Sequence, residues 1–158
     1  MSYQDNIIGA TEKAMGDLFR SARATTADKL EWSPLGEGRT TLGILQECAQ
    51  APSWLTPLVA DRKFPDITPG DMEKGREARQ QWKTIDECEK VCQAGTAKLF
   101  AALRAVPESE FMTMVHLPFG GGFDMPLAAV MSMHFWNLTY HLGQVNYIQT
   151  LYGDKEMH

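Results

Sequence analysis

Four polar side chains near the end of the chain are spaced so that they could share one chemical task. His134, Asn137, His141 and Gln144 follow one another at intervals of three, four and three residues, which places them along one stripe of a helix. Large apolar residues surround them, so the stripe should face other helices or a cleft, where polar groups must be hydrogen-bonded. Such a row could help to hold a metal ion between helices, or it could form an internal hydrogen-bond network.

A metal centre at this stripe needs ligands from elsewhere in the chain. Asn137 and His141 can reach a common point, but an amide oxygen is a poor ligand for zinc or nickel. Cys48 could supply a thiolate, although a buried cysteine in a helix interface often has no metal. His134 lies roughly 10 Å from His141 along the helix axis. We therefore expect His134, with Gln144, to line a pocket or the core rather than to be a principal ligand.

The other two cysteines, Cys88 and Cys92, are four residues apart and would lie on one helix face. No neighbouring histidine or further cysteine completes a four-ligand set, so they are expected to be small, semi-buried residues of a helix. Three cysteines are an odd number and few for this length. We therefore predict reduced thiols rather than a disulfide framework.

Apolar periodicity and breaker residues divide the chain into four long helical segments. Pro52 and Pro57 weaken the second segment, unless one of them begins a new helical piece. The predicted segments are Gln4 to about Thr25, Thr41 through Cys48 and as far as Val59, Asp71 to Ala105, and Met125 to Tyr152.

A short extended segment is predicted before the last helix. Residues 110–124 contain spaced apolar residues followed by Gly120-Gly121-Gly122, which favours a small hairpin and a flexible turn. No Gly-Lys-Ser/Thr follows the glycines, which argues against a phosphate-binding loop. Asp124 is the expected N-cap of the last helix, and Gly153 is expected to end it.

Two of these helices carry motifs that resemble a known family. Asn137-Leu138-Thr139-Tyr140-His141-Leu142-Gly143-Gln144 is similar to the last helix of the DinB-like superfamily, which has a His-x-x-x-His-x-Gly-Gln pattern. The segment from Thr41 to Ala49 resembles the second-helix motif of that family, in which apolar residues precede a histidine. The resemblance covers almost the whole chain. It implies an all-α, four-helix bundle with a long crossover, formed by residues 1–158 as a single domain.

The same resemblance implies a metal site with altered ligands. In the family, three histidines hold a divalent metal such as nickel or zinc, and their positions correspond to Cys48, Asn137 and His141. Because only His141 is retained, we predict a degenerate site whose metal is absent or weakly bound, in a bundle that is structural or binds a small ligand. The alternative is a divalent-metal-dependent hydrolase or thiol S-transferase, for which His134 is the one nearby candidate base.

The composition and charge of the chain argue against some classes of binding partner. The 158 residues are 44% hydrophobic and carry a net charge of −5, which fits a globular chain and argues against nucleic acid as a partner. No apolar stretch is long enough for a membrane helix, and the first residues lack the pattern of a signal peptide, so a cytoplasmic location without membrane contact is expected. The family resemblance further implies a homodimer.

Overall fold

The computed structural model describes residues 2–158 and is 69% helical. Two short antiparallel strands, β1 (Met114–Leu117) and β2 (Phe123–Pro126), lie between helices. Within residues 2–158, no helix is long and apolar enough to cross a membrane. The helices are α1 (Tyr3–Arg23), α2 (Thr41–Gln50), α3 (Pro52–Asp61), α4 (Pro69–Arg79), α5 (Ile85–Ala105), α6 (Leu127–Met131) and α7 (Met133–Leu151).

Four helical walls enclose the core of the protein. α1 packs along α7 and also contacts α5, while α2 and α3 both pack on α5 and α2 also reaches α7. Since α2 and α3 together form one wall, the arrangement is a four-helix bundle. Leu18, Ile44, Leu99 and Leu138 contribute one buried side chain from each wall. The prediction of a mostly α-helical bundle is confirmed.

A proline divides the second predicted segment into α2 and α3. α3 begins at Pro52, which occupies the first turn of the new helix. Proline is tolerated at that position because the backbone N–H groups of a first turn have no acceptor within the helix. Of the two prolines considered, Pro52 therefore starts a new helix, whereas Pro57 lies inside α3.

α4 and α5 are separate helices, so the prediction of one continuous helix over residues 71–105 is wrong. The break falls at residues 80–84. The Thr84 hydroxyl accepts a hydrogen bond from the backbone N–H of Glu87, and the Glu87 carboxylate accepts one from the backbone N–H of Thr84. This reciprocal capping box satisfies the free donors of a helix start, and it therefore begins α5 at that point.

The extended segment before the last helix is confirmed as a hairpin. Val115 of β1 lies opposite Met125 of β2. The turn between the strands contains Gly120, Gly121 and Gly122, whose φ angles are 58°, 96° and 87°. These left-handed conformations favour glycine, which explains the run of three in the sequence.

The start of the last helical segment differs from its prediction. Asp124 is not a helix N-cap, because it belongs to β2 and its carboxylate lies 2.7 Å from Nδ1 of His116 on β1. The segment begins at Leu127 instead, and Ser132 separates α6 from α7. Gly153, with φ of 97°, follows the end of α7 as expected.

Candidate functional site

His141 lies where α7 faces α2, and both nitrogens of its ring are hydrogen-bonded. Its Nδ1 is 2.7 Å from Oε1 of Gln144, one turn further along α7. Its Nε2 is 3.2 Å from Oε1 of Glu47 on α2. The side chain is 3% exposed. His141 therefore cannot bind another ligand through a ring nitrogen without giving up one of these contacts.

An arginine outside α2 extends this set of contacts toward solvent. Nη2 of Arg39 is 2.7 Å from Oε2 of Glu47. The hydrogen bond from His141, followed by that from Arg39, lowers the pKa of Glu47 to about 2 against the opposing effect of burial. Glu47 is therefore a carboxylate at any ordinary pH. We call Arg39, Glu47, His141 and Gln144 the His141 network.

Sequence reasoning missed the two members of the network on the α2 side. The structure brings Glu47 to His141, whereas the family resemblance implied Cys48. Adjacent residues of a helix differ in direction by about 100°, so Glu47 and Cys48 cannot face the same neighbour. One signal was present in the sequence: Glu47 is the single charged residue of α2. A lone charge in an otherwise uncharged, largely buried helix usually needs a partner.

The structure places Cys48 against α5. Its side chain is fully buried, and its backbone carbonyl accepts a contact from Sγ of Cys92 at 3.7 Å. Burial raises the pKa of the Cys48 thiol well above its usual value, so the thiolate that binds metal is disfavoured. Burial likewise raises the pKa of Cys88 to about 11 and that of Cys92 to about 12. Both are free thiols, as the sequence predicted, and both are fully buried rather than semi-buried.

Asn137 and His134 lie on the same helix as His141 but outside its network. Oδ1 of Asn137 is buried without a hydrogen-bond partner. His134 is 1% exposed, and its Nε2 is 2.9 Å from Oγ1 of Thr96 on α5. Burial lowers the pKa of His134 to about 4, so the ring is neutral at neutral pH. This supports the interpretation of His134 as a core histidine.

A cleft of about 410 Å³ opens beside the His141 network. Arg39 and Gln144 belong both to the network and to the walls of this cleft. The ring of Tyr140 meets the ring of His141 edge to face, with centroids 5.3 Å apart. We call this space the α7 cleft; its lining residues are Pro34, Arg39, Ile44, Tyr140, Gly143, Gln144, Tyr147, Ile148 and Leu151.

The residues present do not fit a zinc or nickel centre. Among residues 2–158, no group of three or more His, Cys, Asp or Glu side chains could hold a metal ion. Glu47 and His141 do come together, but each is already hydrogen-bonded, and Arg39 offsets the carboxylate charge. The combination of Cys48, Asn137 and His141 stays a prediction, with Cys48 buried beside Cys92 of α5 and the imidazole of His141 hydrogen-bonded to Glu47.

Comparisons with known proteins identify the fold. No family model matches the sequence, and no curated protein matches it. Solved structures that are similar include the mycothiol-dependent maleylpyruvate isomerase, with a TM-score of 0.71, and a histidine-to-alanine mutant of it, with a TM-score of 0.68. Each is 14% identical to this chain, and each match covers 92% of this chain and 63% of the other.

This chain thus spans less than two thirds of the isomerase, and an identity of 14% is evidence for the fold alone. The isomerase has the DinB-like fold. The structural likeness extends over nearly all of residues 2–158, as the motifs in the second and last helical segments predicted. The chain therefore has the fold of the DinB-like superfamily.

Proposed function

We propose that this protein is a small-molecule-binding bundle that works without a metal, and that the His141 network takes the place of a metal centre. The observation that carries the proposal is the pairing of His141 with Glu47 and Gln144. A carboxylate and an amide oxygen occupy the two positions through which an imidazole would otherwise bind a ligand.

The α7 cleft supplies the binding site in this proposal. Its volume of about 410 Å³ lies within the usual range for small-molecule sites, and its walls are mainly apolar with a few polar groups, as such sites commonly are. The guanidinium of Arg39 has five N–H donors, and one of its nitrogens pairs with Glu47. The remaining donors make an organic carboxylate the favoured ligand class.

The named activity of the structural neighbour is compatible with that ligand class. That enzyme is described as an isomerase of maleylpyruvate, an organic acid, and as mycothiol-dependent. We infer that a carboxylate could lie against Arg39 and Gln144 with its apolar part between Tyr140 and Tyr147. Arg39 also pairs with Glu47, and Gln144 also hydrogen-bonds to His141. Ligand binding would therefore change the environment of the His141 ring.

The alternative is a metal-dependent hydrolase or thiol S-transferase. The likeness to a thiol-dependent isomerase favours it, and so does the unpaired Oδ1 of Asn137, one turn from His141. In that alternative, a bound metal would activate a thiol or a water molecule. The two functions differ in whether ligand binding requires added metal.

To test the proposal, tag-free protein is dialysed against a chelator and then titrated with maleate or with benzoate. Histidine ring resonances should shift at His141 with either probe, and the shift should not require zinc or nickel. Arg39→Gln should weaken binding by about tenfold, which matches the loss of one charge-assisted contact. Arg104→Gln, at an exposed arginine of α5, is the matched control and should bind normally. Binding that appears only after zinc or nickel is added would refute the proposal and favour the alternative.

A further inference from the structure

A larger groove lies on the other side of α2 and shares no lining residue with the α7 cleft. It runs between α3 and α5 and is bounded at one end by the end of α4. Its volume is about 860 Å³, toward the upper end of the usual range for small-molecule sites. We call it the α5 groove; it is lined by Ala49, Gln50, Pro52, Ser53, Thr56, Pro57, Ala78, Trp82, Glu87, Lys90, Val91, Ala94, Gly95 and Lys98.

Small side chains create the floor of the α5 groove. Gly95 allows α3 to approach α5 so closely that a Cβ at that position would lie 3.1 Å from Cβ of Pro52. Val91 and Ala94 are also on the groove side of α5. The helices therefore touch at the bottom of the groove and leave an apolar channel above that contact.

α4 closes one end of the groove through polar contacts. It contains no buried residue. The side-chain amide of Gln50 donates to the backbone carbonyl of Gly75 at 2.6 Å, and Nη1 of Arg79 donates to Oε1 of Gln50 at 3.4 Å. In the connection after α4, Gln46 donates to the carbonyl of Trp82 at 2.8 Å. Few apolar contacts hold α4 in place, so this wall of the groove is the part best able to adjust to a bound molecule.

The charged residues that line the groove are two lysines and one glutamate, a net positive charge in contrast to the chain as a whole. Lys90 and Lys98 are exposed, and neither takes part in an ion pair within residues 2–158. The nearby carboxylate of Glu87 is committed to the capping box of α5. Two unpaired ammonium groups thus face an apolar channel, although the net charge of the chain is −5.

We propose that the α5 groove binds an amphipathic anion, with the apolar body along Val91, Ala94 and Trp82 and the anionic group at Lys90 or Lys98. Charge complementarity selects an anion, and the apolar floor selects a ligand whose body is hydrophobic. The hydroxyls of Ser53 and Thr56 provide further donors on the α3 side. This site is independent of the His141 network and of the function proposed for it.

The test uses two fluorescent probes of similar apolar body, the anion 8-anilinonaphthalene-1-sulfonate and the uncharged N-phenyl-1-naphthylamine. The native protein should bind the anion more tightly than the neutral probe. Ala94→Trp should abolish binding by filling the channel. Ala97→Trp, at an exposed position of α5 outside the groove, is the matched control and should bind normally. Both variants are checked for an unchanged melting temperature.

A separate variant tests whether the two lysines select an anionic ligand. Replacing both lysines in Lys90→Gln/Lys98→Gln should weaken binding of the anion by about tenfold and leave the neutral probe unaffected. Equal binding of the two probes by the native protein, or unchanged binding in Ala94→Trp, would overturn the proposal. Both titrations are made in an Arg39→Gln background, so that the anion does not bind at the α7 cleft and failure here is distinguishable from failure of the proposed function.

Discussion

Protonation of His134 should destabilise the folded protein as the pH falls through the mildly acidic range. The ring is 1% exposed, and burial lowers its pKa from 6.5 to about 4. Between these two values the unfolded chain binds a proton that the folded chain does not, so the free energy of unfolding decreases as the pH decreases. The shift corresponds to a total loss of about 3 kcal/mol, of which about 2 kcal/mol falls between pH 7 and pH 5.

Urea unfolding at pH 7, 6 and 5 measures this loss directly. His134→Gln retains an amide that can hydrogen-bond to Thr96 but cannot be protonated in this range, so it should flatten the pH dependence. His116→Gln, at an exposed histidine of the hairpin, is the matched control and should keep the native slope. The range stops at pH 5 because Glu47 begins to contribute only at lower pH. An equal slope in the native protein and in His134→Gln would refute the reasoning.

Three further predictions concern the packing and the surface. Glu47→Gln should lower the free energy of unfolding, measured in urea, by about 1 kcal/mol, a value reduced by partial solvent screening of the carboxylate. The control is Glu73→Gln, in an exposed ion pair, which should leave the free energy of unfolding unchanged. The three buried cysteines should react with an aromatic disulfide reagent roughly a hundredfold more slowly in native buffer than in denaturant, and rapid native reaction would contradict their burial. The homodimer that the family resemblance implies stays a prediction: light scattering of the native protein over a range of concentrations should give the mass of two chains, and the mass of one chain at all concentrations would refute it.

Much of the bundle could be predicted because its signals are local. The φ angle of proline and the missing N–H at Pro52 act within one turn, and glycine at residues 120–122 permits a turn that other residues resist. The sequence also contains the capping-box residues Thr84 and Glu87 at the start of α5, but the pattern of charged residues over 71–105 continues across this position. Periodicity alone therefore predicted one helix where there are two.

The candidate site was harder to predict because it depends on how two helices are rotated. The stripe on α7 correctly included His141 and Gln144, since residues three apart on a helix are neighbours. The partner on α2 was not predictable from spacing within either helix. A rotation of α2 by one residue decides whether Glu47 or Cys48 faces α7, and that rotation is set by the packing of Ile44 and Cys48 into the core.

The metal content of the protein tests the central claim most directly. Tag-free protein, purified without chelators and loaded with zinc or nickel before dialysis, would be analysed by plasma mass spectrometry beside His141→Asn and Glu47→Gln. If the His141 network replaces a metal centre, the native protein should retain far less than one metal per chain, with no change in either variant. Near-stoichiometric zinc or nickel that is lost in His141→Asn would contradict the account.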